Sequence, residues 1–293
     1  MKVLVTGSTG LLGGELMAAL AHSRCSAVAM NRAAFLSADK EMRSLMLQGF
    51  DVVIHAAANT NVEECELFPE ACYHDNCFFT EQLFCVARQQ GAKFVFISST
   101  GIYGKGKSTP YHEYDSVSPT TIHHSSKRIA EEIVLAAADS LVVRTGWLFG
   151  GCLENRKNFV ANRVKEISAA DGFIYANSSQ IGSPTYVRDC AARLVDLLLD
   201  DCAGIYNIVN AQSASRFDYV KEIVELSGAA LEVRPIDAGG FNRHADVSDN
   251  ESAISYRMRF EGRQELRPWK DALAEYMRDV ALLGTFSGDN RSS

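Results

Sequence analysis

The chain has 293 residues, of which 47% are hydrophobic, so it can bury a full core as one large domain or two modest ones. Its formal net charge of −7 provides no basic field for a phosphate backbone, which argues against a nucleic-acid partner. No apolar run approaches the roughly 20 residues of a membrane-spanning helix, so we expect no membrane partner.

The eight cysteines form no CxxC pair and do not cluster with histidine at zinc-site spacing. This pattern is typical of small buried side chains in a reducing compartment, and we predict no metal site. The apolar start of the chain is interrupted by Thr6, Gly7, Gly10 and Glu15, unlike a signal peptide. We therefore expect a cytoplasmic protein.

Strand-like runs alternate with helical stretches through the first half of the chain. The runs are KVLVTG, SAVAM, DVVIHAA, KFVFISS and SLVVRTG. Such alternation is typical of βαβ units and a parallel sheet. We predict an α/β fold with a Rossmann-type doubly wound parallel sheet, and place the NAD(P)-binding domain at residues 1–150.

The alternation loosens after residue 150. Helical patterns remain in NFVANRVKEISAA and RFDYVKEIVELSG, and short strands in GFIYA and AGIYNIVN. Residues 151–293 therefore predict a smaller, irregular C-terminal substrate-binding region, from which some segments return to the Rossmann core. The last helix should close the fold through an apolar stripe of Trp269, Leu273, Tyr276, Met277 and Val280.

A glycine-rich segment, TGSTGLLGG, lies between the first strand and the first helix. Small residues there allow a tight turn, and backbone N–H groups at the helix start can approach a pyrophosphate. We therefore predict a dinucleotide site. The predicted contacts from this segment are Gly7, Thr9, Gly10, Leu11, Leu12 and Gly13.

The end of the second strand bears on the choice of dinucleotide. Arg32 stands near the position where an acidic residue would hold an NAD ribose, and it could pair with a 2′-phosphate. This favours NADP. A solvated surface arginine explains the residue nearly as well, so NAD stays open.

The GxxGxxG spacing resembles the short-chain dehydrogenase/reductase superfamily. Later motifs narrow the resemblance to its extended branch, most closely to the dTDP-4-dehydrorhamnose reductases. These motifs are DVVIHAAANTNVEECE, YHDNCFFTEQL, FVFISSTGIYG, PYHEYDSVSP, LVVRTGWLFG, NFV, GSPTYVRD and GIYNIVN. The segment RHADVSDNE is similar to the family's RPxDVS stretch, with His244 in place of proline.

The resemblance implies a reductase that passes hydride from NAD(P)H to a 4-keto sugar attached to a nucleotide. The further cofactor contacts that it implies are Ala56, Ala57, Ala58, Thr60, Asn76 and Lys127. The substrate contacts that it implies are Ser99, Thr100, Tyr103, Trp147, Asn158 and Phe159. Among the catalytic residues, Ser99 would bind the carbonyl and Lys127 the nicotinamide ribose. The family's proton-donating tyrosine is expected at position 123, where this chain has His123.

The segment around position 123 predicts a helix. Ser118 and Pro119 resemble an N-cap and a first helical residue, so we expect the helix from Thr120 onward. The residues expected on its packed side are Ile122, Ile129 and Ile133.

His123 and Lys127 are four residues apart, hence adjacent on one helix face. The lysine cation opposes protonation of the imidazole, so His123 should be neutral at pH 7. A neutral imidazole can polarise a carbonyl through its N–H group, but it is a poor source of a full proton.

Three interpretations follow. In the first, His123 replaces tyrosine as the donor, with activity favouring lower pH. In the second, another group supplies the proton, the candidates being His124, Tyr103, Tyr111 and Tyr114. Alternatively, catalysis is lost and the chain is an NADP-binding regulatory subunit. For His124 alone, an exposed histidine without a special role is favoured.

The leading hypothesis is an NADP(H)-preferring reductase of a nucleotide-linked 4-keto-6-deoxy sugar, in deoxysugar or polysaccharide biosynthesis, with Ser99, His123 and Lys127 as catalytic residues. The alternatives are the regulatory subunit and a nucleotide-sugar epimerase or dehydratase of the same fold. The expected partner is a small nucleotide sugar, and a homodimer is one assembly that the sequence allows.

Overall fold

The strand-like runs of the sequence form strands in the computed structural model, which describes residues 1–237 and 243–282. The strands are β1 (Lys2–Thr6), β2 (Ser26–Ala29), β3 (Val52–His55), β4 (Lys93–Ser99), β5 (Leu141–Thr145), β6 (Trp147–Phe149), β7 (Phe173–Asn177), β8 (Ile181–Gly182), β9 (Pro184–Tyr186), β10 (Gly204–Ile208), β11 (Asn210–Ala211), β12 (Ala214–Ser215), β13 (Glu232–Ile236) and β14 (Leu266–Pro268).

Helices occupy most of the connections between these strands. They are α1 (Leu11–Ala21), α2 (Arg32–Ser37), α3 (Lys40–Leu47), α4 (Val62–Leu67), α5 (Pro69–Tyr73), α6 (Phe79–Gln89), α7 (Ile122–Val134), α8 (Phe159–Ala169), α9 (Val187–Leu199), α10 (Arg216–Ser227), α11 (Tyr256–Phe260) and α12 (Trp269–Leu282). A π-helix, His74–Phe78, precedes α6, and a 3-10 helix, Thr100–Tyr103, follows β4. Across the described part of the chain, no helix combines the length and apolar character needed to cross a membrane.

The central sheet has six parallel strands in the order β10-β5-β4-β3-β1-β2. The chain leaves β1 for β2 on one side and returns to β3 on the other. Such a switch point opens a crevice at the carboxyl ends of the strands, where sheets of this type bind ligands. The predicted doubly wound parallel sheet is confirmed.

Both faces of the sheet are buried, because alternate side chains of one strand enter different cores. Val3 and Val5 pack with α1 and α9, whereas Leu4 packs with α3, α6 and α7. The second half of the chain contributes β10 to the sheet edge and four two-stranded pairs, β6-β9, β7-β13, β8-β12 and β11-β14. The division at residue 150 stays a prediction. The apolar stripe of α12 is buried as predicted.

A hydrogen-bond chain ties the ends of β1 and β3 to the π-helix. His55 Nδ1 lies 2.7 Å from Thr6 Oγ1, and its Nε2 lies 3.0 Å from Thr80 Oγ1. Thr80 donates its own hydrogen to the Asn76 carbonyl at 2.6 Å, so it accepts from His55 Nε2–H. Thr6 accepts from Ala57 N–H at 3.2 Å and donates to Nδ1. His55 is therefore a neutral Nε2–H tautomer.

The environment of His55 opposes its protonation. Burial lowers the pKa of His55 to about 3, and the Lys127 and Arg32 cations act in the same direction. Its folded pKa therefore lies below the unfolded value of about 6.5. The neutral ring stabilises the fold fully above pH 6.5, and this contribution is lost as the pH falls from 6.5 towards 3.

We predict that His55→Leu reduces the acid sensitivity of the fold. When the pH falls from 7 to 5, only the unfolded chain takes up a proton on His55. This uptake should lower the unfolding free energy of the natural protein by about 2 kcal/mol. The variant should be less stable at pH 7 by about 1–3 kcal/mol, since two buried hydroxyls lose partners. Urea unfolding at both pH values measures these differences.

The control is Phe94→Leu, which alters a buried ring beside His55, with ring centroids 6.1 Å apart, and keeps the imidazole. It should lower stability at both pH values and leave the pH-dependent difference unchanged. An unchanged difference in His55→Leu would contradict the assignment.

Candidate active site

The glycine turn after β1 packs backbone against backbone. Gly7 has a φ of +68°, and a Cβ there would lie 2.7 Å from Ala57 N. A Cβ on Gly13 would lie 2.0 Å from Gly7 O. Gly10 N donates to the same oxygen at 2.9 Å. Positions 7 and 13 therefore require glycine, and the turn lies directly against the segment that follows β3.

The start of α1 fits a pyrophosphate. Its N-cap, Gly10, provides no side-chain hydrogen bond to the first N–H groups of the helix. Thr9 and Gly10 are exposed, whereas Leu12 and Gly13 are buried, so Leu12 can contribute only its backbone. Uncapped N–H groups and the positive helix end attract an anion.

Arg32 lies beyond the end of β2, at the start of α2. Its guanidinium forms an ion pair with Asp75 and lies 5.1 Å above the Phe79 ring, while its Nε is buried without a hydrogen-bond partner. Burial opposes ionisation of Asp75, but hydrogen bonds from Arg32 and His74 hold the pKa of Asp75 below its ordinary value. A 2′-phosphate at this position would compete with Asp75 for the guanidinium.

The segment after β3 runs from the glycine turn towards α7. Ala56, Ala57 and Ala58 are half-buried, and Thr60 is exposed, with its Oγ1 bound by Lys157 Nζ. These predicted cofactor residues therefore belong to one continuous segment beside the glycine turn.

Asn76, from the π-helix, fixes this stretch through Asn59. Its Oδ1 accepts from Asn59 N–H at 2.7 Å, and its Nδ2 donates to Asn59 O at 3.0 Å. The same Nδ2 donates to Ser126 Oγ at 2.9 Å, and Ser126 donates to the His123 carbonyl at 2.6 Å. Asn76 thus fixes the predicted cofactor segment relative to α7. Sequence reasoning missed Asn59, whose role depends on a backbone carbonyl.

His123 is 6% exposed, and its Nδ1 lies 2.9 Å from Asn59 O. A carbonyl oxygen only accepts, so Nδ1 carries the hydrogen, and a neutral ring then has its lone pair on Nε2. Because a neutral imidazole has only one N–H, the ring in this orientation has none left for a sugar carbonyl. In this orientation the hydrogen bond to Asn59 engages that N–H, and the role of His123 as a neutral N–H polariser stays a prediction.

The predicted neutrality of His123 is confirmed, with a different main cause. Burial holds the pKa of His123 well below its ordinary value, followed by repulsion from His124 and then from Lys127. The hydrogen bond to Asn59 opposes this only in part. The imidazolium needed for acid catalysis is therefore disfavoured at neutral pH.

Two predictions about α7 are wrong. The helix begins at Ile122, after the N-cap Thr121, whose Oγ1 accepts from His124 N–H at 3.1 Å. This bond satisfies a free helix-end donor, so Ser118 and Pro119 lie before the helix. Ile129 is 39% exposed rather than packed, and Ile122 is half-buried, whereas Ile133 packs against the core as predicted.

The packed face of α7 is largely polar. Glu131 forms a buried ion pair with Arg144 of β5 at 2.7 Å, and both side chains are 4% exposed. Lys127 is also buried, with its Nζ 4.2 Å from the Phe96 ring centroid on β4. Burial lowers the pKa of Lys127 to about 8, although Glu131 opposes this shift.

Ser99 ends β4 and begins the 3-10 helix. Its Oγ accepts from Gly101 N–H at 3.2 Å, which leaves the hydroxyl hydrogen for a ligand. Thr100 is buried at 1% exposure, so its side chain is placed in the core. His124 is buried rather than exposed as expected, and a Cβ on Gly101 would lie 2.2 Å from its ring.

The tyrosines considered as proton donors are poorly placed. Tyr103 donates to Asn207 Oδ1 at 2.9 Å, accepts from Arg144 at 3.1 Å, and is 1% exposed. Burial raises the pKa of Tyr103 to about 12, which makes it a weak acid, and its predicted substrate contact stays a prediction. Tyr111 is buried and donates to the Gly104 carbonyl, whereas Tyr114 is 67% exposed.

The residues of the second half that were predicted to contact substrate lie in two different environments. Trp147 and Phe159 both lie near Arg216, whose guanidinium carbon is 3.4 Å and 5.1 Å from their ring centroids. Sequence reasoning missed Arg216, because no motif marked it. Asn158 instead caps α8 and binds Tyr276 Oη, fully buried.

A polar cavity of about 470 Å³ lies beside this region. Its lining residues are Lys105, Asn177, Gln180, Arg243, His244, Ala245, Asp246, Val247, Ser248 and Asp249. Thr120, two residues before α7, donates to the Asp246 carbonyl at 2.5 Å. The cavity wall is therefore joined to the chain that leads into His123.

Comparison with known proteins gives one family over nearly the whole chain. Residues 1–282 match the family described as the RmlD substrate-binding domain. The chain is 30% identical over 281 residues to the spore coat polysaccharide biosynthesis protein SpsK of Bacillus subtilis, covering 95% of this chain and 97% of that protein. It is 30% identical over 280 residues to dTDP-4-dehydrorhamnose reductase of Mycobacterium tuberculosis, covering 93% and 91%.

Solved structures share the fold. A dTDP-4-dehydrorhamnose reductase from Clostridium acetobutylicum has a TM-score of 0.89 and 26% identity, covering 97% of this chain and 100% of that one. The dTDP-4-dehydrorhamnose reductase of Bacillus anthracis, in complex with NADP, has a TM-score of 0.88 and 24% identity, covering 95% and 99%.

We predict that Gly13→Ala weakens dinucleotide binding at least about tenfold, equivalent to about 1.4 kcal/mol, because the added Cβ displaces the Gly7 carbonyl and with it the turn. Fluorescence titration with NADPH measures the affinity. The matched control is Gly14→Ala, whose Cβ would meet only Ser8 O at an ordinary 3.7 Å. It should bind as the natural protein does; equal affinity in both variants would contradict the assigned turn.

Proposed function

The chain belongs to the RmlD substrate-binding domain family, and on this premise we propose that it is an NADPH-dependent reductase of a nucleotide-linked 4-keto-6-deoxy sugar. One observation carries the proposal. Lys127 packs over β4, at whose carboxyl end Ser99 retains a free hydroxyl hydrogen, in the same sheet whose first turn fits a dinucleotide. The reductase names of the relatives support the reaction, and the name of the B. subtilis relative supports a place in polysaccharide biosynthesis.

The cofactor belongs to the same proposal. The B. anthracis reductase of this fold is described with NADP, and Arg32 offers a guanidinium beyond β2 where the 2′-phosphate is expected. The α1 start and the stretch Ala56–Thr60 would hold the pyrophosphate and the nicotinamide half. When bound, the cofactor supplies the hydride.

The polar cavity supports a nucleotide-linked substrate. Lys105 and Arg243 line the cavity, and a diphosphate there would compete with Asp246, which pairs with Lys105 at 2.7 Å. The cavity wall is joined to the chain before α7. Trp147 and Phe159, which both lie near Arg216, offer apolar faces for a sugar ring or base.

We propose that the proton needed at the sugar oxygen comes from a group other than His123. In our proposal Ser99 donates a hydrogen bond to the carbonyl, and the Lys127 ammonium releases a proton from Nζ to the nascent alkoxide. A pKa of about 8 suits this role, because the group is charged at pH 7 yet close to its titration point. The neutral amine then regains a proton from solvent.

We also propose that the protein is a homodimer and acts in the cytoplasm. All eight cysteines are free thiols, which suits a reducing compartment. Tyr114 and Phe260 are 67% and 74% exposed and stack with centroids 6.5 Å apart, which offers an apolar patch for a second copy.

We predict that the purified protein oxidises NADPH only when a dTDP-4-keto-6-deoxy sugar is present, and that its rate falls as the pH rises through about 8, where Lys127 loses its proton. Lys127→Ala should lose at least about 100-fold in kcat. The matched control is Arg128→Ala, on the exposed side of α7, which should retain the natural rate. No turnover across a panel of keto sugar nucleotides would overturn the proposal.

Substitutions of His123 separate positioning from proton transfer. We predict that His123→Gln stays within about tenfold of the natural kcat, because an amide N–H can still reach the Asn59 carbonyl. His123→Tyr should increase kcat about tenfold or more, since a phenol beside the Lys127 cation gains acidity. Loss of 100-fold or more in a folded His123→Gln would instead identify the imidazole as the acid.

The hydrogen bond of His123 also favours a second candidate, the NADP-binding regulatory subunit, because the ring has no N–H left for a substrate. If neither the natural protein nor His123→Tyr turns over substrate while both still bind NADPH, the regulatory subunit is the supported candidate.

A further inference from the structure

The side chains of two cysteines lie close to His123, near Asn59. Cys65 of α4 and Cys72 of α5 are both 0% exposed. Their sulfur atoms and one ring nitrogen of His123 lie within 4.8 Å of one another. Three soft or borderline donors therefore converge in a buried space from three helices.

The spacing is close to that of a tetrahedral metal site. With Zn–S bonds of about 2.3 Å and a Zn–N bond of about 2.0 Å, tetrahedral donors lie about 3.5–3.8 Å apart. The largest separation in the cluster, 4.8 Å, therefore needs to shorten by only about 1 Å. The Asn59 carbonyl, 2.9 Å from His123 Nδ1 and 4.0 Å from Cys65 Sγ, borders the cluster. A metal bound at Nδ1 replaces the hydrogen that this carbonyl accepts, and the ring hydrogen then lies on Nε2.

The surroundings of the cluster are polar. Asn76 Nδ2 lies 3.4 Å from Cys72 Sγ, while its two hydrogens are directed at the closer Asn59 O and Ser126 Oγ, so the sulfur lies beside the positive end of the amide dipole. Asn76 is itself held by Asn59 and Ser126, so this amide is fixed in direction.

We infer that Cys65, Cys72 and His123 form a binding site for one thiophilic divalent metal ion of the Zn²⁺ class. The two thiols release two protons to solvent and bind as thiolates, while the imidazole binds as a neutral ring. The charges of the ion and the thiolates then cancel, which suits a site without solvent. The donor set of two cysteines and one histidine is one that zinc uses in proteins.

The sequence concealed this site. Cys65 and Cys72 are seven residues apart, and His123 follows 51 residues later, so no short metal-binding spacing is present. The prediction of no metal site was based on spacing alone. The site also gives the residue at position 123 a function that tyrosine could not perform as readily, because a neutral imidazole is a better zinc ligand.

The test is cobalt binding to the purified full chain, kept reduced with a phosphine in metal-free buffer. We expect one equivalent of Co²⁺ to give thiolate-to-metal charge-transfer absorption, and Zn²⁺ to displace it. Cys65→Ser and Cys72→Ser should each weaken binding by at least about 100-fold, more than the 10–100-fold typical of outer-shell changes. X-ray absorption of the zinc form of the natural protein should show two sulfur ligands, independently of any variant's folding.

The matched control is Cys77→Ser, because Cys77 lies beside the cluster but donates to the Ser126 carbonyl at 3.2 Å. It should bind cobalt as the natural protein does. Absent charge-transfer bands, bands that survive loss of both Cys65 and Cys72, or bands lost with Cys77 would each overturn the site. So would a reduced protein that binds no metal but forms a Cys65–Cys72 disulfide with peroxide.

Metal binding is measured without turnover. A negative result therefore leaves the proposed reductase activity untouched, and an inactive reductase leaves the metal site untouched.

Discussion

The carbonyl oxygen of Asn59 is the point on which the site depends. It accepts from His123 Nδ1 at 2.9 Å, from Asn76 Nδ2 at 3.0 Å and from Cys65 Sγ at 4.0 Å. The chain at Asn59 is held in turn by Asn76, which links the segment after β3 to α7. One backbone group therefore determines both the position of the predicted cofactor segment and the tautomer of the residue at position 123.

Because the Asn59 carbonyl engages the ring N–H of His123, the proposed proton donor on α7 is Lys127. The packed face of α7 is polar because Glu131 and Arg144 form a buried pair beneath it. Removing one partner of such a pair leaves an uncompensated buried charge, at a cost of about 3–5 kcal/mol. Burial beside it lowers the pKa of Lys127 to about 8. A helix that lacks the family's tyrosine therefore still presents a group able to release a proton near neutral pH.

The fold and the cofactor turn could be predicted from the sequence because both are local in origin. The strands are recognised from runs of apolar residues, and the turn is recognised from the spacing of the glycines at positions 7, 10 and 13. The adjacency of His123 and Lys127 also follows from helix geometry alone. The packed face of α7 did not follow, since apolar periodicity cannot reveal that Lys127 and Glu131, rather than Ile129, turn inwards. The Asn59 carbonyl and the cluster with Cys65 and Cys72 arise only from tertiary packing, which leaves no spacing to recognise.

The tautomer of His123 can be read from the ring ¹⁵N spectrum of metal-free protein, assigned by comparison with His123→Gln and followed from pH 8 to pH 5.5. We expect a neutral ring with hydrogen on Nδ1, a free lone pair on Nε2 and no titration in this range. A ring protonated at Nε2, or one that titrates near 6.5, would contradict this expectation and identify His123 as the proton donor.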